Sequence, residues 1–269
     1  RIMTAWRTVA CLFTSLISLL AQADTLCPPN QKIQFAHHNF GYFYSEDGGI
    51  DVDLVAELAR RSGCPFNQTV KPRSRIWQEL EQGALEMAGN GIETDARNQF
   101  AAFIPYIAVR ARLLYNGEGN APASVDELLQ RNLRVGVVRS FKHGEPYDSA
   151  VDYLRQQGQV VEARDMPQLL EWLQKKRIQA AITHPLVYLR YLPGLQIDKL
   201  QIVDLATHHP TIKASVILSR KHFSPEQIDG WRKLLQSMRD DGTLRNIYTR
   251  YIGADNADAA LRQISPSGK

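Results

Sequence analysis

Residues 32–70 read KIQFAHHNFGYFYSEDGGIDVDLVAELARRSGCPFNQTV, and the fold class turns on this stretch. Lys32–His37 is a short apolar run of strand character. Leu54, Val55, Leu58 and Ala59 recur at helical spacing as far as Arg61, and Asp53 stands where a helix N-cap is expected. Phe66–Val70 is a second strand-like run. Strand, helix, strand is the unit from which parallel sheets are assembled.

The alternation continues outward. A helix is predicted over Ser74–Gly83, with short strands at Leu85–Ala88 and Ala111–Tyr115. After NGEGNAPAS (116–124), a Gly-, Asn- and Pro-rich linker, the pattern starts again. A helix opens at Ser124 and a buried strand covers Leu133–Val138. Helices at Asp148–Gln157, Met166–Lys175 and Pro185–Tyr191 then alternate with strands at Val160–Ala163, Ala180–Thr183 and Ala214–Leu218. Helices over Pro225–Asp240 and Thr243–Tyr251 close the pattern. This predicts an α/β protein with mainly parallel sheets and two βα units. The small, polar stretch 254–269 reads as a flexible tail.

Composition limits the function. The chain has 269 residues, 44% hydrophobic and 22% charged, with 32 Lys plus Arg against 28 acids. Such a small basic excess without a run of like charges argues against nucleic-acid binding. Part of it lies in residues 1–23, where Arg1 and Arg7 accompany an apolar run (Val9–Leu20) and Ala21-Gln22-Ala23. That is the pattern of a secretory signal peptide cleaved after Ala23; a run of about a dozen residues is too short to span a bilayer. Loss of Arg1 and Arg7 takes 32 bases to 30 against 28 acids, a net +2. An exported, periplasmic protein is expected. Of three Cys, Cys11 leaves with the leader, and Cys27 and Cys64 remain. They precede the first and second strands, which start at one sheet edge, so a disulfide is the favoured reading, with two free buried thiols as the alternative. No phosphate-loop, dinucleotide or C-x-x-C motif is present. His37-His38 and His208-His209 are adjacent pairs whose members would face opposite ways on a strand, so no metal or cofactor is expected.

Four stretches resemble one family. GIDVDLVAELARRSG (49–63) is similar to a G-F-D-x-D-L strand-to-helix segment. LEQGALEMAGNGIETDARNQFAAFIPY (80–106) resembles a signature that runs through T-x-x-R to P-Y, with one residue fewer before Pro105-Tyr106. SVDELLQRNLRVGVVRSFKHGEPYD (124–148) resembles S-x-x-D-L-x-G-x-x-V-G-V-x-x-G-(S/T)-(S/T), and RKHFSPEQIDGWRKLLQSMRDDGTLRNIYTRYIG (220–253) a closing helix pair. In order and together they resemble the periplasmic solute-binding proteins of the amino-acid type, extracellular solute-binding family 3. The resemblance implies a two-lobed periplasmic-binding-protein-like fold (type II), two α/β lobes joined by two hinge strands, with ligand captured between them. Lobe one would comprise 24–112 and 214–253, and lobe two the inserted 113–213.

The resemblance also implies a site. Arg97 would grip a ligand carboxylate through its planar fork, with Thr94 and Asn90 in support; the bland reading is a surface arginine. Ile92 replaces a common Ser or Thr. Phe40 would pack over the ligand or belong to the core, and Tyr42, Phe43 and Tyr44 read as core. Arg73 would make a second anion contact or stack, or be a solvated helix-start charge. In the turn after Val138, Arg139, Ser140, Lys142 and His143 would offer an anion backbone N–H groups and cations, or be exposed loop charges. His184 stands where amino-acid-binding relatives carry an Asp for the ammonium, and Glu93 or Asp165 are the nearest substitutes. With Arg73, Arg97, Lys142, His143 and His184 the cleft tilts cationic, so an anionic carboxylate ligand is expected. The reading is a monomeric, non-catalytic receptor that serves a membrane permease or sensor. The alternative is an enzyme like the periplasmic cyclohexadienyl dehydratases, with Glu93 or Glu145 and His184 or His143 moving protons.

Overall fold

The computed structural model describes residues 26–29, 31–262 and 264. The leader read over 1–23 lies outside them. The chain begins with β1 (Ile33–His37), α1 (Ile50–Ser62), β2 (Phe66–Val70), α2 (Arg73–Gln82), β3 (Met87–Ile92), α3 (Asp95–Asn98) and β4 (Ala101–Val109). It continues through β5 (Arg112–Tyr115), α4 (Val125–Gln130), β6 (Val135–Val138), α5 (Tyr147–Gln156), β7 (Val160–Ala163), α6 (Met166–Gln174), β8 (Ala180–Thr183), α7 (Pro185–Tyr191) and β9 (Gln201–Val203). It ends with β10 (Ile212–Ser219), α8 (Pro225–Asp240), α9 (Thr243–Ile252) and α10 (Ala254–Arg262).

Two five-stranded sheets result, in the orders β2-β1-β3-β10-β4 and β7-β6-β8-β5-β9. Each has a parallel trio and one antiparallel strand inserted before its edge: β10 between β3 and β4, β5 between β8 and β9. The inserted strand always arrives from the other sheet, so the backbone crosses between the two twice. Four of five strands in each sheet share a direction, in keeping with the mainly parallel sheets expected.

Local chemistry explains the elements. Ile50, Leu54, Val55 and Leu58 bury one face of α1, and Gly63 ends it at φ 71°, donating to the Ala59 carbonyl. The cap expected at Asp53 is not used, because α1 begins four residues earlier after Gly49. Asp53 accepts instead from the Tyr251 hydroxyl at 2.7 Å. Strand β4 escaped the sequence reading because Pro105 lies inside it; its place at the sheet edge, paired only with β10, leaves the missing N–H without consequence. Residues 254–262, read as part of a flexible tail, are helical. They form α10, whose Ala257 and Ala260 are buried and whose Asp258 accepts from Arg245 through both oxygens. Small residues three apart give α10 a flat stripe that packs closely on α9 and β4.

Cys27 and Cys64 form a disulfide. It ties the segment before β1 to the end of α1, as the shared sheet edge requires. The closed loop has a sequence separation of 37. Replacing both cysteines by serine is expected to cost about 3–4 kcal/mol through the entropy regained by the unfolded chain; urea unfolding measures it, and an unchanged midpoint would contradict the account.

Candidate functional site

The first wall of the site is the end of β3, every residue of which is buried. Asn90 has φ 51° there, a left-handed conformation that Asn tolerates better than most residues. Three groups hold it. Its N–H donates to the Tyr106 hydroxyl at 3.1 Å, and that hydroxyl donates to Asp51. On the other side the Arg73 guanidinium donates to the Gly89 and Asn90 carbonyls. Arg73 is only 2% exposed, so it is not a solvated helix-start charge. Burial, reinforced by Arg97, lowers its pKa to about 9, and burial pushes the Asp51 carboxyl up to about 7. Both side-chain polar atoms of Asn90 are buried without a partner.

Arg97 lies on the one-turn helix α3, whose N-cap Thr94 accepts from the Arg97 N–H at 3.3 Å. Its guanidinium stacks 3.7 Å from the Trp77 ring centroid. It donates to the Ile92 carbonyl at 2.7 Å and across the cleft to the Ser140 carbonyl at 2.9 Å. Burial lowers its pKa to about 10. Trp77 is four residues after Arg73 on α2 and so shares its face.

The facing wall is the turn after β6. Ser140, at φ 62°, takes the conformation of the glycine in the family pattern. Several amide donors of this turn are committed within the protein: the Arg139 N–H bonds the Ala163 carbonyl, the Phe141 N–H the Val138 carbonyl, and the His143 and Gly144 N–H groups bond Asp148. Lys142 and Ser140 line the cleft beside Arg97, and His143 is buried next to Phe141. Phe141 was not singled out from the sequence, although it stands where the pattern calls for a hydroxyl residue. Its ring lies 4.6 Å from that of Phe40. Phe40 is 1% exposed and also packs on His38 and His184.

His184 precedes α7 with neither ring nitrogen hydrogen-bonded, set edge-on to Phe40 and Phe43. Burial holds its pKa near 3, so it contributes none of the positive charge expected of it near neutral pH. Arg73, Arg97 and Lys142 carry the cationic character. Of the two acids weighed for an ammonium, Glu93 bonds Asn98 on the surface and Asp165 caps α6; Glu145, weighed with Glu93 for proton transfer, is exposed. Tyr44 stacks on His37, in keeping with a packing role. Among the described residues no group of three His, Cys, Asp or Glu converges as metal ligands.

The cleft is shut. The space among Arg73, Trp77, Asn90, Arg97, Ser140 and Phe141 has no room for water. Outside it lies a cavity of about 340 Å³ bounded by Arg97, Phe141, Lys142 and Asp148. A clasp seals the hinge side. The Tyr42 N–H donates to the Leu186 carbonyl at 2.8 Å, and the Tyr191 hydroxyl joins Asn39 to the Gly41 N–H. A Cβ at Gly41 would come within 2.4 Å of the Val187 backbone.

The His184 environment has a consequence for stability. An unfolded histidine takes up its proton near pH 6.5, but His184 in the fold resists protonation down to about 3. Its contribution is therefore present above about pH 6.5 and is lost as the pH falls below it. Relative to His184→Gln, the native protein is expected to lose about 2 kcal/mol between pH 7.5 and pH 5, read from denaturant unfolding at the two pH values. A parallel pH dependence in both proteins would refute this.

Comparison with known proteins agrees with this fold. The family model for bacterial extracellular solute-binding proteins, family 3, matches residues 36–254. The L-cystine-binding protein TcyA of Bacillus subtilis is 21% identical over 208 residues, 77% of this chain and 73% of the relative. The arginine-, lysine-, histidine-binding protein ArtJ from Geobacillus stearothermophilus superposes with a TM-score of 0.70 at 18% identity, covering 83% of this chain and 96% of ArtJ. A histidine kinase sensor domain similar to periplasmic binding proteins gives 0.68 at 16% identity, covering 83% of this chain and 96% of the domain. The chain is a member of the bacterial extracellular solute-binding proteins, family 3.

Proposed function

We propose that the protein is an exported receptor, its leader removed after Ala23, that captures a small anionic carboxylate between two lobes and presents the closed form to a membrane permease or sensor. The lobes are 24–112 with 214–253, and the inserted 113–213. One observation carries the reading: two guanidiniums, Arg73 and Arg97, converge on the cleft wall beside an Asn90 side chain without a partner, and among the described residues no free carboxylate answers them. The nearest acids are committed, Asp51 to Tyr106 and Asp148 to two backbone amides. A ligand carboxylate would exchange the Ser140 carbonyl on Arg97 for a charged, bidentate partner.

The relatives support the carboxylate, since cystine, arginine, lysine and histidine all carry one. They do not extend to a ligand with a second positive charge, because this cleft has nothing to receive it and like charges repel strongly in a desolvated site. Capture and closure need no chemistry, which agrees with relatives that are named as binding proteins.

A thermal-shift screen followed by calorimetry tests this. Succinate, glutamate, lysine and arginine are the informative probes. An anionic carboxylate is expected to bind, and Arg97→Ala to weaken it by about 10- to 100-fold, the worth of a charged hydrogen-bonded pair. Binding of lysine or arginine alone, or binding indifferent to Arg97→Ala, would overturn the proposal.

A further inference from the structure

The ring of Phe141 sits in a box. Its centroid is 4.6 Å from Phe40, 5.3 Å from His143, 6.3 Å from His184 and 6.4 Å from His38, and the Arg73 guanidinium carbon lies 5.8 Å from it. These spacings are those of stacked and edge-on aromatic pairs. The box is therefore shaped for a six-membered ring, and the protein's own side chain fills it.

The polar atoms around that ring are left unserved. His38 Nε2, His143 Nδ1, both nitrogens of His184 and both side-chain polar atoms of Asn90 are buried without a partner. A buried polar atom without a hydrogen bond is costly, and native proteins keep few of them. A phenyl ring offers such atoms nothing. A ring that carries hydroxyl groups or heteroatoms would satisfy them.

We propose that Phe141 is a self-occupying plug and that the ligand is an aromatic carboxylate with polar ring substituents, whose ring takes the place of Phe141 and whose carboxylate reaches Arg97. The inference rests on the carboxylate reading above and narrows it to a ligand class. Phe141 has somewhere to go, because it belongs to an irregular turn beyond the left-handed Ser140 and already borders the cavity of about 340 Å³ next to the cleft. An aromatic acid brings no ammonium group, and the described acids nearest the cleft, Asp51, Asp148 and Asp165, are already hydrogen-bonded within the protein.

The consequence is competition inside one molecule. While Phe141 fills the box, the competent form is a fraction of the population, and apparent affinity is reduced by that fraction. Calorimetry and thermal shift on the full chain with 4-hydroxybenzoate, succinate and phenol test it, using wild type, Phe141→Ala, Phe141→Leu and Arg97→Ala. The expected result is that 4-hydroxybenzoate binds wild type more tightly than succinate, and binds Phe141→Ala about tenfold more tightly still. Phenol, which has no carboxylate, should stabilise Phe141→Ala and not wild type, as a small aromatic fills an emptied apolar cavity. Phe141→Leu keeps the turn packed and should fall between the two.

Succinate preferred over 4-hydroxybenzoate in wild type and variants, with binding still lost in Arg97→Ala, would overturn the plug and leave the carboxylate clamp standing. Aromatic binding strengthened by Phe141→Ala but indifferent to Arg97→Ala would uphold the box and overturn the clamp. Binding of neither acid to wild type or to the Phe141 variants would overturn both.

Discussion

Each of the two sheets is completed by a strand that the chain brings from the other. Without β10, strands β3 and β4 would face each other across a gap of unpaired N–H and C=O groups, and without β5 so would β8 and β9. Unpaired backbone in a protein interior costs as much as the hydrogen bonds it forgoes, so neither sheet is whole without the crossing. The chain passes between the two sheets twice, in opposite directions. These passages put the ends of β3 and β6, with their turns, on opposite walls of one cleft. The site is a product of that crossing.

Within the cleft, charge is arranged by burial. Arg73 gives up its water to hold the carbonyls of Gly89 and Asn90, and its lowered pKa records the cost. Asp51 beneath it is too desolvated to be a full counter-charge, and it acts through the Tyr106 hydroxyl on the Asn90 backbone. Arg97 keeps its charge by stacking on Trp77 and donating to carbonyls on both walls. A wall built this way holds two guanidiniums side by side through local packing and hydrogen bonds.

Much of this was legible in the sequence. The βα alternation, the second start after 116–124 and the Cys27–Cys64 pairing came from local spacing. So did most strand and helix spans, since hydrophobic period and Gly or Ser caps act over a few residues. Strand β4 was not legible, because Pro105 argues against a strand until its edge position is known. Helix α10 was missed because Ala257 and Ala260 are apolar enough to bury but too small to stand out in a pattern. In the site, Arg97 and Asn90 were reached through motif resemblance. Arg73 remained ambiguous because a helix-start arginine looks alike whether solvated or buried.

The sequence by itself determined the fold class, the family and the residue types available to the site, because these follow from periodicity and motif order along the chain. The tertiary structure alone decided which of those residues meet and in what state of charge. It brought Phe141 of one wall against Phe40 of the other and left His184 neutral. Packing and desolvation depend on residues a hundred or more positions apart, and no local pattern encodes that distance.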